Sequence, residues 1–238
     1  MQKRSQILFW SAYSKVYDGL LKLQPYAELI VDAVDQLDIR DGSKIVDLGC
    51  GTGNCLNQVI RRYGDLPGSL TGVDSSPQML KAAGAKLGSD PRVELLEGSL
   101  LEWLEKAPES SVDNFISVNV LYTMDAPVRK QFWTGISNAL SPDGNAVVVT
   151  TDRAGIGPLA KQHLAQVPFW RAFPPKLVAV LLMNMVIWLF ESNSVYDPVP
   201  LEALVMEAES TGLIVDSTKR CYGGEVDGVD VMLVVRKV

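Results

Sequence analysis

A single histidine and three cysteines (Cys50, Cys55 and Cys221) leave this chain too few imidazole and thiolate ligands for a structural or catalytic zinc site. Three cysteines give no even disulfide framework, and reduced thiols point to the cytoplasm. Lysines and arginines form no basic run and the net charge is −6, which argues against a nucleic-acid polymer as partner, since its phosphates must be neutralised. The first residues lack the long apolar stretch and small-residue cleavage site of a signal peptide. The longest apolar run, Leu177 to Phe190 with only Asn184 interrupting, makes a helix of about 21 Å. That falls short of the ~30 Å needed to cross a bilayer, so no transmembrane segment is expected.

What the chain does have is Val46-Asp47-Leu48-Gly49-Cys50-Gly51-Thr52-Gly53-Asn54, in which an apolar strand runs through an acid and three alternating glycines into a helix start. Glycines let the chain reverse and let a ligand touch bare backbone, and the following helix aims free N–H groups at that ligand. A dinucleotide fingerprint needs glycine where Asn54 stands, and a P-loop needs Lys and Ser or Thr where Asn54 and Cys55 stand. Asp47 beside the turn repels a diphosphate and attracts an ammonium or sulfonium cation. The small side chain of Cys50 suits close packing inside the turn. The strand Ser69 to Asp74 ends in a second acid, 27 positions after Asp47. That spacing fits one right-handed βαβ unit and brings both carboxylates to one sheet edge, where the two oxygens of Asp74 can accept from a ribose diol.

These residues resemble the first two motifs of the class I S-adenosylmethionine (SAM)-dependent methyltransferases, in particular those acting on small molecules, quinones and lipids. Asp47, Gly49, Gly51 and Gly53 match the acidic-x-G-x-G-x-G motif, and Asp74 matches the acid that grips the ribose hydroxyls. The resemblance implies SAM as cofactor and S-adenosylhomocysteine (SAH) as product. It further implies cofactor contacts from Cys50, from Ser75 after the second strand, from Met79 against adenine, and from Gly98, Ser99 and Leu100 after the third strand. Ser99 stands where the family commonly has Asp. Asn119-Val120-Leu121-Tyr122 resembles the family's segment after the fourth strand, with Asn119 toward the cofactor and Tyr122 near the transferred methyl group. Tyr13 and Tyr17, in a Y-x-x-x-Y-D sequence ending at Asp18, resemble an N-terminal cover that closes over SAM in quinone- and lipid-type relatives; packing of the first helix is the alternative.

Periodicity predicts helices over Tyr26 to Leu37, Asn54 to Tyr63, Pro77 to Leu87, Pro127 to Leu140 and Pro200 to Thr211, with Ser141-Pro142-Asp143-Gly144 as a turn. Strands are predicted over Ile45 to Leu48, Ser69 to Asp74, Arg92 to Leu96, Val112 to Val120, Ala146 to Thr150, Leu213 to Ser217 and Val229 to Arg236. The alternation gives an α/β fold: a doubly wound, Rossmann-like sheet of seven strands, mostly parallel, closed by an antiparallel C-terminal hairpin strand that turns within Gly223 to Gly228. Residues 1–238 are expected to form one domain, with an N-terminal helical cover over about 1–40 and an apolar insertion over about 152–198.

That insertion carries Trp170, Phe173, Met183, Met185, Trp188 and Phe190, and reads as a lid over a hydrophobic substrate pocket. A buried core helix, a homodimer interface and shallow membrane contact are its other readings. His163, inside it, is the candidate proton acceptor, histidine being the residue type suited to that task near neutral pH. The resulting expectation is methyl transfer to a small, largely apolar acceptor. A SAM-binding enzyme of the same fold doing a cyclisation or rearrangement, or a non-catalytic SAM-binding scaffold, is the alternative.

Overall fold

A computed structural model describes residues 17–152, 157–172, 198–221 and 228–237, with isolated positions 175, 178 and 182. Seven strands form one sheet: β1 (Lys44–Leu48), β2 (Ser69–Asp74), β3 (Val93–Glu97), β4 (Val112–Val118), β5 (Leu140–Thr151), β6 (Leu213–Cys221) and β7 (Asp230–Lys237). Their order is β3-β2-β1-β4-β5-β7-β6. Strands β1 to β5 pair in parallel, while β7 is antiparallel to both β5 and β6. The order reverses between β1 and β4, which opens a crevice at the carboxyl ends of the strands.

The helices are α1 (Gln24–Asp35), α2 (Asn54–Tyr63), α3 (Pro77–Leu87), α4 (Leu100–Lys106), α5 (Ala126–Ala139), α6 (Gly157–Gln166), α7 (Phe169–Ala172) and α8 (Leu201–Glu209). Sequence sets their limits. Ser76 and Asp125 cap α3 and α5 by accepting from the N–H groups of Met79 and Val128, each with proline in the first turn. One face of the sheet packs Ile45, Ile116, Val118, Val147, Val149, Met232 and Val234 against α1, α2 and α3. The other packs Val46, Leu48, Phe115, Val148, Val231 and Leu233 against α4, α5 and α8. The period-2 alternation of side chains therefore assigns a face to each strand residue.

Three strands differ from the sequence reading by two residues or more at one end. The fourth strand stops at Val118 because Asn119 takes a left-handed φ of 60°. Ser141 to Gly144 do not separate α5 from β5: Leu140 already pairs with Val112, Asn145 pairs with Asn114, and the four residues bulge out opposite Asp113 alone. The sixth strand runs on to Cys221, its pairing with β7 compensating for a polar, exposed stretch that local pattern underrates. The hairpin turn at 223–227 and most of the apolar run at 177–190 lie outside the described residues. Among the described residues no helix is long and apolar enough to cross a membrane. Trp170 on α7 is 83% exposed, and Val178 and Leu182 also face outward.

Candidate functional site

The carboxyl end of β1 leads into the glycine turn with φ of 78° at Gly49 and 75° at Gly53, a region that side-chain-bearing residues rarely adopt. Space demands glycine as well. A Cβ on Gly49 would lie 2.5 Å from Val120 Cγ2, and one on Gly53 2.7 Å from Leu87 Cδ1. The turn is thus wedged between the segment after β4 on one side and α3 on the other. Gly53 then starts α2, whose first N–H groups face the rim of the sheet.

Two carboxylates flank this turn on the same sheet face. Asp74 closes β2, and its two oxygens accept from the backbone N–H groups of Gly51 (2.9 Å) and Ser76 (2.8 Å). Burial pushes its carboxyl up, and those two N–H bonds pull it back. Each oxygen keeps acceptor capacity beyond these bonds. Asp47 is almost fully buried, its Oδ2 has no hydrogen-bond partner, and its carboxyl is pushed up to about 8 by burial first and by the nearby Asp74 second. Without a neighbouring cation Asp47 is therefore mainly protonated at pH 7. Cys50, buried between them, has its thiol raised far above the ordinary range by burial, with Asp47 and Asp74 adding to the shift, so it is a packing residue with no nucleophilic character.

The remaining predicted positions gather around the same rim with one exception. Ser75 is exposed after β2, and Met79 is buried in the first turn of α3. Gly98 donates its N–H to the Asp74 carbonyl (3.0 Å) and has open space where a Cβ would stand. Ser99 sits at the cap position of α4 but makes no capping bond with its side chain, and Leu100 packs partly into the second core. Asn119 donates its N–H to the Val149 carbonyl (2.8 Å), while its buried Oδ1 has no partner. Tyr122 is buried in a one-turn helix, its N–H donating to Thr150 Oγ1 (3.1 Å). Tyr17 lies with its ring 3.9 Å from the position a Gly51 Cβ would take, and its hydroxyl is 3.2 Å from that of Tyr26. Tyr13 lies outside the described residues.

His163 is the exception. It is 1% exposed on α6, with Nδ1 accepting from the Gln24 N–H (3.1 Å) and Nε2 donating to the Ala172 carbonyl (2.7 Å). Both ring nitrogens are spent joining α6 to the start of α1 and to α7. Sequence located this candidate base in the insertion but could not show that two backbone groups engage its ring nitrogens.

A polar cluster on the outer side of the turn escaped the sequence reading. Thr52 Oγ1 donates to Asp18 Oδ1 (2.6 Å), and Lys86 Nζ donates to Asp18 (3.0 Å), to Thr52 Oγ1 (3.3 Å) and to Asn54 Oδ1. These bonds tie the N-terminal segment and α3 to the glycine turn. Asp18 was legible as part of the Tyr17-Asp18 pair; Lys86 carried no signal, being an ordinary lysine near a helix end.

Residues 45–144 match the family profile described as Methyltransferase domain. That match and the relatives below support the resemblance to the class I SAM-dependent methyltransferases. It is 32% identical over 161 residues to carboxy-S-adenosyl-L-methionine synthase of Wolinella succinogenes, covering 63% of this chain and 65% of that one. It is 29% identical over 171 residues to trans-aconitate 2-methyltransferase of Rhizobium leguminosarum bv. trifolii, covering 71% and 61%. The chain thus spans just under two thirds of the length of these relatives. Among solved structures, the DhpI–SAH complex superimposes with a TM-score of 0.65 over 98% of this chain and 96% of that one, at 16% identity, a likeness of fold. The family's cofactor fits the residues present. The buried, unpartnered Asp47 oxygen asks for a cation or N–H donor, and the spare acceptor capacity of Asp74 suits a diol.

Proposed function

We propose that this protein transfers the methyl group of SAM to a small, largely apolar acceptor. The observation that carries the reading is the pair of carboxylates on one rim, Asp74 fixed by Gly51 and Ser76 and Asp47 buried with an unpartnered oxygen, beside a turn only glycine can make. SAM supplies an electrophilic methyl group on a sulfonium sulfur, and the chain supplies position and exclusion of water. Asp74 accepts from the ribose hydroxyls. Asp47 ionises when the cofactor's positive charge arrives and holds that end by charge. Cys50, Gly49 and Gly51 let the cofactor approach the backbone, and Met79, Gly98, Ser99 and Leu100 border the adenine, the Ser99 hydroxyl standing ready for its amino group. Asn119 and Tyr122 border the side where acceptor meets methyl, and Tyr17 covers the glycine turn.

An apolar acceptor is supported by the outward-facing Trp170, Val178 and Leu182 of the insertion, with the same segment as a lid or contact surface. With His163 bonded at both nitrogens, an acceptor that is itself ionised or carbon-centred suits this site better than one needing a histidine base. Three buried free thiols favour the cytoplasm. We extend the proposal to residues 1–238 acting as one domain.

The test is incubation of the full chain with methyl-labelled SAM and an organic extract of the source cells. Label in an organic-soluble product with one SAH released per methyl supports the proposal, and label that never leaves SAM across polar and apolar fractions counts against it. A second reading, chemistry on this fold other than methylation, is favoured by the relative named as a carboxy-S-adenosyl-L-methionine synthase. A product or altered cofactor without a gain of one methyl mass would select it.

A further inference from the structure

Among the described residues four buried side-chain oxygens have no hydrogen-bond partner, and three of them stand at the rim where the candidate site lies: Asp47 on β1, Asn119 just after β4 and Asp230 at the start of β7. Asp230 has no part in the site described so far. It is 1% exposed, and its Oδ1 accepts from Thr151 Oγ1 (2.9 Å), the last residue of β5, which it also faces in the sheet register. Alternation along β7 puts Asp230 on the same face as Met232 and Val234, and alternation along β1 puts Asp47 on the face of Ile45, which is the same face of the sheet. With strands ~4.8 Å apart, β7 lies about 10 Å beyond β4, on the side away from β1 and β2.

An acid in this place weakens the fold. Its neighbours in sequence, Val229 and Val231, and its register partner on β6, Cys221, are buried and offer its carboxylate no hydrogen bond, and Thr151 satisfies only one of its two oxygens. A buried acceptor left unpaired is disfavoured, and such a group persists where it serves a ligand. Asp47 and Asn119 accompany the cofactor side of the rim, whereas Asp230 is too far along the sheet to reach it. We propose that Asp230 contacts the methyl acceptor: its Oδ2 accepts a hydrogen bond from a hydroxyl or amine at the end of the acceptor remote from the methylated atom. This rests on the methyltransferase reading above. The acceptor class it selects is an amphipathic small molecule, apolar along its length with one hydrogen-bond donor about 10 Å from the reacting centre.

Two variants separate this role from a structural one. Asp230→Asn keeps the Thr151 bond but puts an N–H group where Oδ2 stood, and Asp230→Leu removes both oxygens at similar volume. At limiting concentrations of the extract fraction that takes label from SAM, both variants should transfer label at least about tenfold more slowly than the natural protein, the factor that loss of one well-placed bond produces. SAH affinity should stay within twofold, and the melting temperature should be unchanged or higher. Label transfer within twofold of the natural protein overturns the proposal, as does a loss of transfer matched by a loss of SAH affinity. A natural protein that binds SAH but labels nothing refutes the methyltransferase reading itself, and this inference falls with it.

Discussion

At the inner rim of β1 and β2 the polar groups are held by backbone, with the Asp18–Thr52–Lys86 side-chain cluster confined to the outer side: the Asp74 oxygens by two N–H groups, the turn by glycine geometry, and α2 by the glycine that precedes it. Around β5 and β7 they are held by side chains distant in sequence, as in the Thr151 to Asp230 bond, the Arg220 to Asp152 ion pair, and the His163 imidazole that ties α6 to the start of α1. A site whose ligand is common to a whole family can be built from local backbone, since nothing in it needs to change. A site for a varying acceptor is set by side chains, which can change one at a time.

The largest effect should come from breaking the backbone-built half. Gly49→Ala places a methyl 2.5 Å from Val120 Cγ2 at a φ of 78°, so it should cost about 2–4 kcal/mol of stability, read as a lowered urea midpoint. Adding Val120→Ala should recover part of the loss but not the backbone strain. In the side-chain-built half, His163→Ala leaves the Gln24 N–H and the Ala172 carbonyl without their partner and should cost about 1–3 kcal/mol. The shape of the pH–rate profile should not change. A profile that loses its acidic limb in this variant would restore His163 as the proton acceptor.

A pH series sharpens the comparison further. Burial holds the Asp47 carboxyl at about 8 in the ligand-free fold against 3.8 in the open chain. Between those values the unfolded chain has released a proton that the folded chain retains, so this group's contribution to stability is fully present below about pH 4 and is lost as pH rises through 8. The melting temperature of Asp47→Asn should therefore fall less than that of the natural protein from pH 5 to pH 8. Asp230, held at about 7 by burial, should behave alike in its own variant. The smallest effect belongs to the Asp18–Lys86 pair, which is partly exposed. Asp18→Asn should cost no more than about 1 kcal/mol in a denaturant titration.

Sequence made the backbone-built half legible almost residue by residue: α2 and α3 begin and end where periodicity, Ser76, Pro77 and Gly64 require. Both acids and all three glycines stand at one rim as their spacing implied. The other half was less legible for a physical reason. The ends of β4 and β5 depend on pairing with distant strands, which carried β5 through Ser141-Pro142-Asp143-Gly144 despite their turn chemistry. His163 looked available because its partners lie 139 residues away in sequence at Gln24 and nine away at Ala172. Asp230 was not singled out from sequence: an acid at the start of an apolar strand, it gained meaning only from its burial and its unpartnered oxygen.

Calorimetric titration of SAM into the full chain and into Asp74→Ala tests the central claim most directly. Saturable binding at one site per chain, weakened at least about tenfold by the substitution, is the predicted result. No heat of binding from the natural protein, or equal affinities for the two, would contradict it.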